Sequence, residues 1–419
     1  MSGITKKDVQ IKDKKYFSIL LSIVPLLDVY EIPFFPISYG EVMLILYICY
    51  SLICYRKIIL NRSYTNFFMY ALISSLLISS ISGHLNLWDW SVQWARFFIY
   101  TFLFTTIAIQ MIDMESLGKS FQVVGMITAV IQLFQWGIAV LMGRVLLFII
   151  PGSKLHYTIS DYNQYVTHLL RWNGSYWRPS NFFLEPAAYA QYALIVLVIC
   201  LIVPKQPKIK MSIFITIAII VSQSAIGVIM SFTIWVLWST RVYKYHSLKY
   251  YLMVIILGGV AIAFFYTDNT FIQGVIERVK TIGQLGSTTG NLRVLRGWVI
   301  YLELPFFMKI FGVGMGTLGQ YLIEHNIVTR FDAGLAVGNE YMNTVLRILV
   351  NTGIVGMGLF VVFVSSIYRR CRRYSQKVIL FIWLILCSVT SNFLNIMYVL
   401  PLILIMSLDY AIGEEYVDN

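Results

Sequence analysis

Apolar stretches of helical length recur along most of the chain, at about 17–29, 38–55, 64–82, 91–112, 119–141 and 186–203. A lipid interior offers no water to backbone N–H and C=O groups, so a chain built this way is restricted to bundled helices or a closed barrel. Strict apolar/polar alternation is missing, which disfavours the barrel. Hydrophobic residues make up 58% and charged residues 12%, with mean hydropathy +0.73. Soluble proteins carry about 25% charged residues. The expectation is an all-α polytopic membrane protein.

The net charge of +12 would suggest nucleic acid in a soluble protein, but in a membrane protein basic residues first report topology. Lys6, Lys7, Lys12, Lys14 and Lys15 precede the first apolar run. That run has no small-residue cleavage site and contains Pro25 and Asp28, so it reads as a retained helix. Arg56, Lys57 and Arg62, then Lys205, Lys208 and Lys210, mark further cytoplasmic loops. The long loop 142–185 then faces outward. The run 211–240 lies between two basic loops and is expected to be two short crossings or a re-entrant hairpin, turning at Ser222-Gln223-Ser224 with Gly227. A helix at about 250–266 leads out into a second long loop, 267–343, and one at about 344–367 returns to Arg369, Arg370, Arg372 and Arg373. Segments at about 378–392 and 397–413 complete about twelve helices in one integral domain, 1–419, with both ends inside.

No internal repeat and no G-x-x-x-x-G-K-[ST] loop is present, which weakens readings as a secondary transporter or an ATP-driven one. The five cysteines have neither metal-ligand spacing nor a pairing pattern. Chemistry is therefore sought in the two outward loops.

Arg178 and Glu185 each precede a proline, and Pro186 opens a helix whose outward N-terminus, with Arg178 nearby, can hold a phosphate. The alternative for Arg178 is snorkelling in an interfacial aromatic belt. If 291–303 is helical, Arg293 and Arg296 share a face and two guanidinium forks can converge on one pyrophosphate; the alternative is a solvated basic face. Gly312, Gly314 and Gly316 read more readily as a turn than as a phosphate cradle. Glu340 is a candidate base, or else a structural partner of Arg347; His325 competes for the same role. Arg96, inside the fourth helix, either pairs with Asp28, Glu31 or Glu41 or touches substrate. Asp409 reads as structural.

Taken together, these residues resemble a known family. Arg178-Pro-Ser-Asn-Phe-Phe-Leu-Glu185-Pro186 is similar to the R-x-S-x-F-x-E-P element of bacterial Wzy-type polysaccharide polymerases. Arg293 with Trp298, and the stretch Phe311-Gly-Val-Gly-Met-Gly316, resemble a pattern these polymerases share with O-antigen ligases. Asn339-Glu340-Tyr341-Met342, followed by Asn351-Thr-Gly-Ile-Val-Gly356, looks like the family's closing motif.

The resemblance implies a GT-C-type glycosyltransferase, needing no metal or other cofactor, that acts on undecaprenyl-pyrophosphate-linked oligosaccharide at the outer face of the bacterial plasma membrane. Its implied partners are that substrate, membrane lipids, a chain-length regulator and a flippase, with no nucleic acid. Arg293 stabilises the leaving group in this reading, and the base lies among Glu340, Glu185 and His325. Arg178, Arg296, Arg96, Arg347, Asn339 and Tyr341 are the candidates for substrate contact. Ligases usually carry His-Asn where this chain has Gly338-Asn339, which makes the ligase an alternative rather than the first reading. A flippase of lipid-linked sugars is the alternative from a different class.

Overall fold

The computed structural model describes residues 6–55, 61–82, 87–103, 111–142, 144–150, 153–155, 178–204, 206–243, 292–329, 331, 338–391 and 393–417. The expected helix at 250–266, the loop segments 156–177 and 267–291, and most of the basic loop 241–249 lie outside them.

Fourteen α-helices and one π-helical turn make up the regular structure among the described residues: α1 (Lys6–Leu27), α2 (Tyr39–Tyr55), α3 (Arg62–Ser82), α4 (Leu87–Phe102), α5 (Met114–Met142), α6 (Pro186–Leu201), α7 (Ile209–Val221), α8 (Ala225–Tyr243), the π turn (Leu292–Arg296), α9 (Gly297–Glu303), α10 (Phe306–Phe311), α11 (Leu318–Glu324), α12 (Thr344–Arg370), α13 (Tyr374–Val389) and α14 (Ile396–Val417). Two of them, α5 and α12, are long and apolar enough to cross a membrane, and six further apolar helices are shorter. The regular structure among the described residues is thus all-helical, consistent with a helical membrane protein. The first helix begins at residue 6, well before the apolar run, because its lysines are themselves good helix formers.

Two compact units divide the chain, one of Met1–Tyr47 and Met111–Lys280, the other of Ile48–Gln110 and Thr281–Asn419. In the first, α6 is apolar all round and buried from Tyr189 to Leu201, so it forms the centre against which α5, α7 and α8 pack. Gly125 on α5 lies against Val196, and Gly227 on α8 against Ala190; small residues let these backbones approach closely. α7 and α8 meet at the buried Ser222-Gln223-Ser224, with Gln223 at φ 52°, and Trp235 Nε1 donates to Thr216 Oγ1 at 2.8 Å across the pair.

α5 shows what surrounds this unit. Val123, Ile127, Val130 and Phe134, at three- and four-residue spacing, are each half or more exposed, while Gln122, Thr128, Gln132 and Gln135 are buried. A helix in water turns its apolar stripe inward, whereas this one turns it outward, which fits lipid.

In the second unit α12 packs on α3, α10 and α13, around rings of Tyr64, Phe67, Phe97, Phe360 and Phe363. Gly353, at φ 65° and ψ −170°, breaks α12. The break releases three carbonyls, and each is recaptured. Val350 and Asn351 accept from the N–H groups of Val313 and Gly314, both at 3.0 Å, and Thr352 accepts from the Tyr70 hydroxyl at 3.2 Å. Residues 312–314 are therefore a backbone clasp on the broken helix, with Gly312 against the Asn351 backbone, while Gly316 lies against Trp90 of α4.

Candidate functional site

Arg178 and Glu185 belong to the first unit. Arg178 is half-buried at the start of an extended segment whose next residues are clamped to α5. Gln132 Nε2 donates to the Pro179 carbonyl at 2.8 Å, the Asn181 N–H donates to Gln135 Oε1 at 2.8 Å, and Asn181 Nδ2 donates to the Thr128 carbonyl. The buried glutamines of α5 thus hold the Pro179–Asn181 backbone, with Asn181 at φ 60°. Glu185 is exposed and occupies the N-cap of α6 in extended geometry, without a side-chain cap bond. Gln135→Met would leave the buried Asn181 N–H without its acceptor. It is expected to cost about 1–3 kcal/mol, read as a lower midpoint when heating exposes the buried Cys200 to a thiol dye. An unchanged midpoint would show that the loop is held by other contacts.

The other candidates belong to the second unit, where six gather along one short segment, 338–347, and the π turn beside it. Arg293 Nε donates to the Tyr341 hydroxyl at 2.5 Å, and its guanidinium lies 5.4 Å from the centre of that ring. Arg296 is 1% exposed and donates from Nη1 to the Tyr341 carbonyl at 3.0 Å. The Arg293 carbonyl accepts from the Asn343 N–H at 2.8 Å. Asn339 folds the segment locally, its Oδ1 accepting from the Tyr341 N–H at 2.8 Å, and Asn343 caps α12 through the Leu346 N–H. The two arginines therefore grip the hydroxyl and the carbonyl of one residue. Arg296 is turned into the protein while Arg293 stays half-buried at its edge. The wider π turn sets this division, since three-residue spacing aligns side chains on an α-helix but not on a π-helix.

Glu340 receives four hydrogen bonds. Gly319 N–H donates to Oε1 at 2.9 Å, Gln93 Nε2 to both oxygens at 3.2 and 3.4 Å, and Arg347 Nη2 to Oε2 at 2.5 Å. The Glu340 and Arg347 side chains are 17% and 16% exposed, and the Arg347 guanidinium lies 6.0 Å from the Phe393 ring. Surrounded by donors, this side chain joins α4, α11 and α12. These contacts fix the position of the carboxylate between the three helices. The ion pair with Arg347 is the structural alternative weighed from sequence. Glu340→Gln would leave the guanidinium without its counter-charge and is expected to cost about 2–3 kcal/mol. Adding Arg347→Met should recover part of that loss in a double-mutant cycle; strictly additive losses would remove the pair from the account.

His325 is exposed at the far end of α11, stacked on Tyr321 with centroids 4.1 Å apart and Nδ1 3.1 Å from the Tyr321 carbonyl. Burial pushes the Tyr321 phenol above its ordinary value. Arg96 is half-buried on α4, one turn from Gln93. Gln93 and Gly319, which hold Glu340, were not singled out in the sequence. The available signal was weak: one glutamine in a helix crowded with aromatic residues, and a glycine opening a short helix.

No protein-family model and no curated protein matches this chain.

Proposed function

We propose that the chain is a polysaccharide polymerase that joins undecaprenyl-pyrophosphate-linked oligosaccharide repeats at the outer face of the plasma membrane. The observation that carries this reading is the convergence of the π turn at Leu292–Arg296 on Tyr341. Two segments that resemble the family's motifs, nearly fifty residues apart in sequence, meet there around a half-buried arginine. π-Helical turns occur frequently at functional sites.

In the proposed step a hydroxyl of the incoming lipid-linked repeat attacks the anomeric carbon of the growing chain. A C–O glycosidic bond forms, the bond from that carbon to the phosphate oxygen breaks, and the pyrophosphate leaves with the electron pair. The hydroxyl proton passes to a base. Negative charge develops on the departing oxygen, so fixed donors around it lower the barrier. Arg293 is the donor placed for that work, a planar fork suited to phosphate. Arg296 serves as its support, anchoring the Tyr341 backbone. Arg178, on its clamped segment, is a separate candidate for phosphate contact. The saturated contacts of Glu340 favour an anchoring role, which leaves Glu185 and His325 as exposed candidates for the base. The twelve-helix topology and cytoplasmic termini belong to the same proposal.

Deleting the gene in its native cell tests the reading. A polymerase deletion accumulates single lipid-linked repeats. Accumulation of long lipid-linked chains would instead identify a ligase, and repeats trapped on the inner face would identify a flippase.

A further inference from the structure

Between α1 and α2 the chain makes a tight hairpin whose tip is Ile32-Pro33-Phe34-Phe35-Pro36-Ile37. No side chain in these six residues carries a charge or a hydrogen-bonding group. Phe34 is 87% exposed and Phe35 57%. The enzymatic reading above uses neither residue.

The base of the hairpin is as polar as its tip is apolar. Glu31 pairs with Ser38, and Tyr30 with Leu155, as β-bridges. The Glu31 N–H donates to the Lys154 carbonyl at 2.9 Å, and its carboxylate lies 3.4 Å from Lys154 Nζ. Ser38 and Glu41 form a reciprocal cap at the start of α2: Ser38 N–H donates to Glu41 Oε2 and Glu41 N–H to Ser38 Oγ, both at 3.0 Å. Ser38 Oγ in turn donates to Asp28 Oδ1 at 2.5 Å. Asp28, Glu31, Ser38 and Glu41 are all buried. Such a mount fixes the direction in which the two rings project.

The tip backbone is also prepared for a medium poor in water. Pro33 and Pro36 have no N–H, while Ile32 and Phe35 donate inside the hairpin, to Ile37 and Ile32 at 3.0 and 3.3 Å. Few donors then lose water if the tip leaves it. The apolar surface continues down α2 through Tyr39 and Leu46, which are 47% and 59% exposed two turns apart.

We infer that Phe34 and Phe35 insert into the bilayer interface on the side of the membrane opposite the N-terminal lysines, as a rigid lipid wedge that fixes the depth of α1 and α2. Two rings present only a few hundred Å² between them. A stable protein interface needs about 800 Å² from each partner, so the tip is too small to seat a second copy or another protein. A lipid surface sets no such minimum, and aromatic side chains favour this boundary.

Spin labels at Phe34→Cys and Phe35→Cys, each in a cysteine-free chain in phosphatidylethanolamine/phosphatidylglycerol vesicles, test the wedge by power saturation. The expected result is greater collision with oxygen than with a water-soluble nickel chelate at both positions, and the reverse at an exposed control, Gln206→Cys. Dominant nickel collision at 34 and 35 would place the tip in water and overturn the inference. Low collision with both would mean a protein cover and would overturn it equally. Should the cysteine-free chain fail to fold, the unaltered protein in vesicles containing a carbene-generating phospholipid gives the same decision: lipid adducts on the peptide spanning 31–38 are expected, and their absence contradicts the wedge.

Discussion

Arg293→Lys is expected to abolish chain extension, by about 100-fold or more, the loss typical when one fixed donor to a developing oxyanion is removed, while the protein still inserts and folds. Lysine keeps the charge but not the fork. The Arg293 Nε–H bonds the Tyr341 hydroxyl and the guanidinium carbon lies 5.4 Å from the centre of that ring, so Tyr341 sets the orientation of the fork. An ammonium on a flexible stem can satisfy the hydroxyl or the phosphate, and it is oriented by neither. Polysaccharide length on a gel reads the outcome directly. Arg296→Lys provides the contrast. Its buried guanidinium holds the Tyr341 carbonyl, so this change should lower stability and activity together, whereas Arg293→Lys should lower activity alone. Normal chain lengths in a well-expressed Arg293→Lys strain would remove Arg293 from the site.

The second large effect is structural. Gly353→Ala is expected to destabilise the second unit by about 3 kcal/mol or more, from left-handed backbone strain and a direct collision. A Cβ at Gly353 would meet the Ile310 carbonyl, and one at Gly312, whose φ is 90°, would meet the Asn351 carbonyl. The two glycines face each other across the clasp, and neither has room for a side chain. Gly358→Ala, on the same helix with nothing near its position, should be tolerated. Exposure of the buried Cys371 and Cys387 to a thiol dye during heating measures both variants. Equal midpoints for Gly353→Ala and Gly358→Ala would show that the clasp contributes nothing.

These two cases also show how far the sequence could be read. Helices were legible because their apolar runs are long and their ends carry prolines, glycines or basic clusters. The break between α7 and α8 at Ser222–Ser224 has the same local origin, a polar patch interrupting an apolar run. The clasp at residues 312–314 was legible only as a turn, because its reason lies at Gly353, forty residues away, in a backbone contact that no local pattern encodes. Arg293 and Arg296 were legible as a pair but not as unequal members. Three-residue spacing was judged on α-helical geometry, and the π turn directs one arginine inward. The contacts of Glu340 were partly legible through Arg347, seven residues along. Gln93 and the Gly319 N–H come from helices distant in the chain, and a backbone donor leaves no mark on a sequence.

The most direct measurement is incubation of the purified, reconstituted protein with a single defined undecaprenyl-pyrophosphate-linked repeat, without added nucleotide or metal, following both saccharide length and released undecaprenyl pyrophosphate. The account predicts a ladder of lipid-linked oligomers, one undecaprenyl pyrophosphate released for each linkage formed, and neither product with Arg293→Lys. Unchanged repeat units in the presence of folded wild-type protein, or a ladder equally strong with Arg293→Lys, would contradict it.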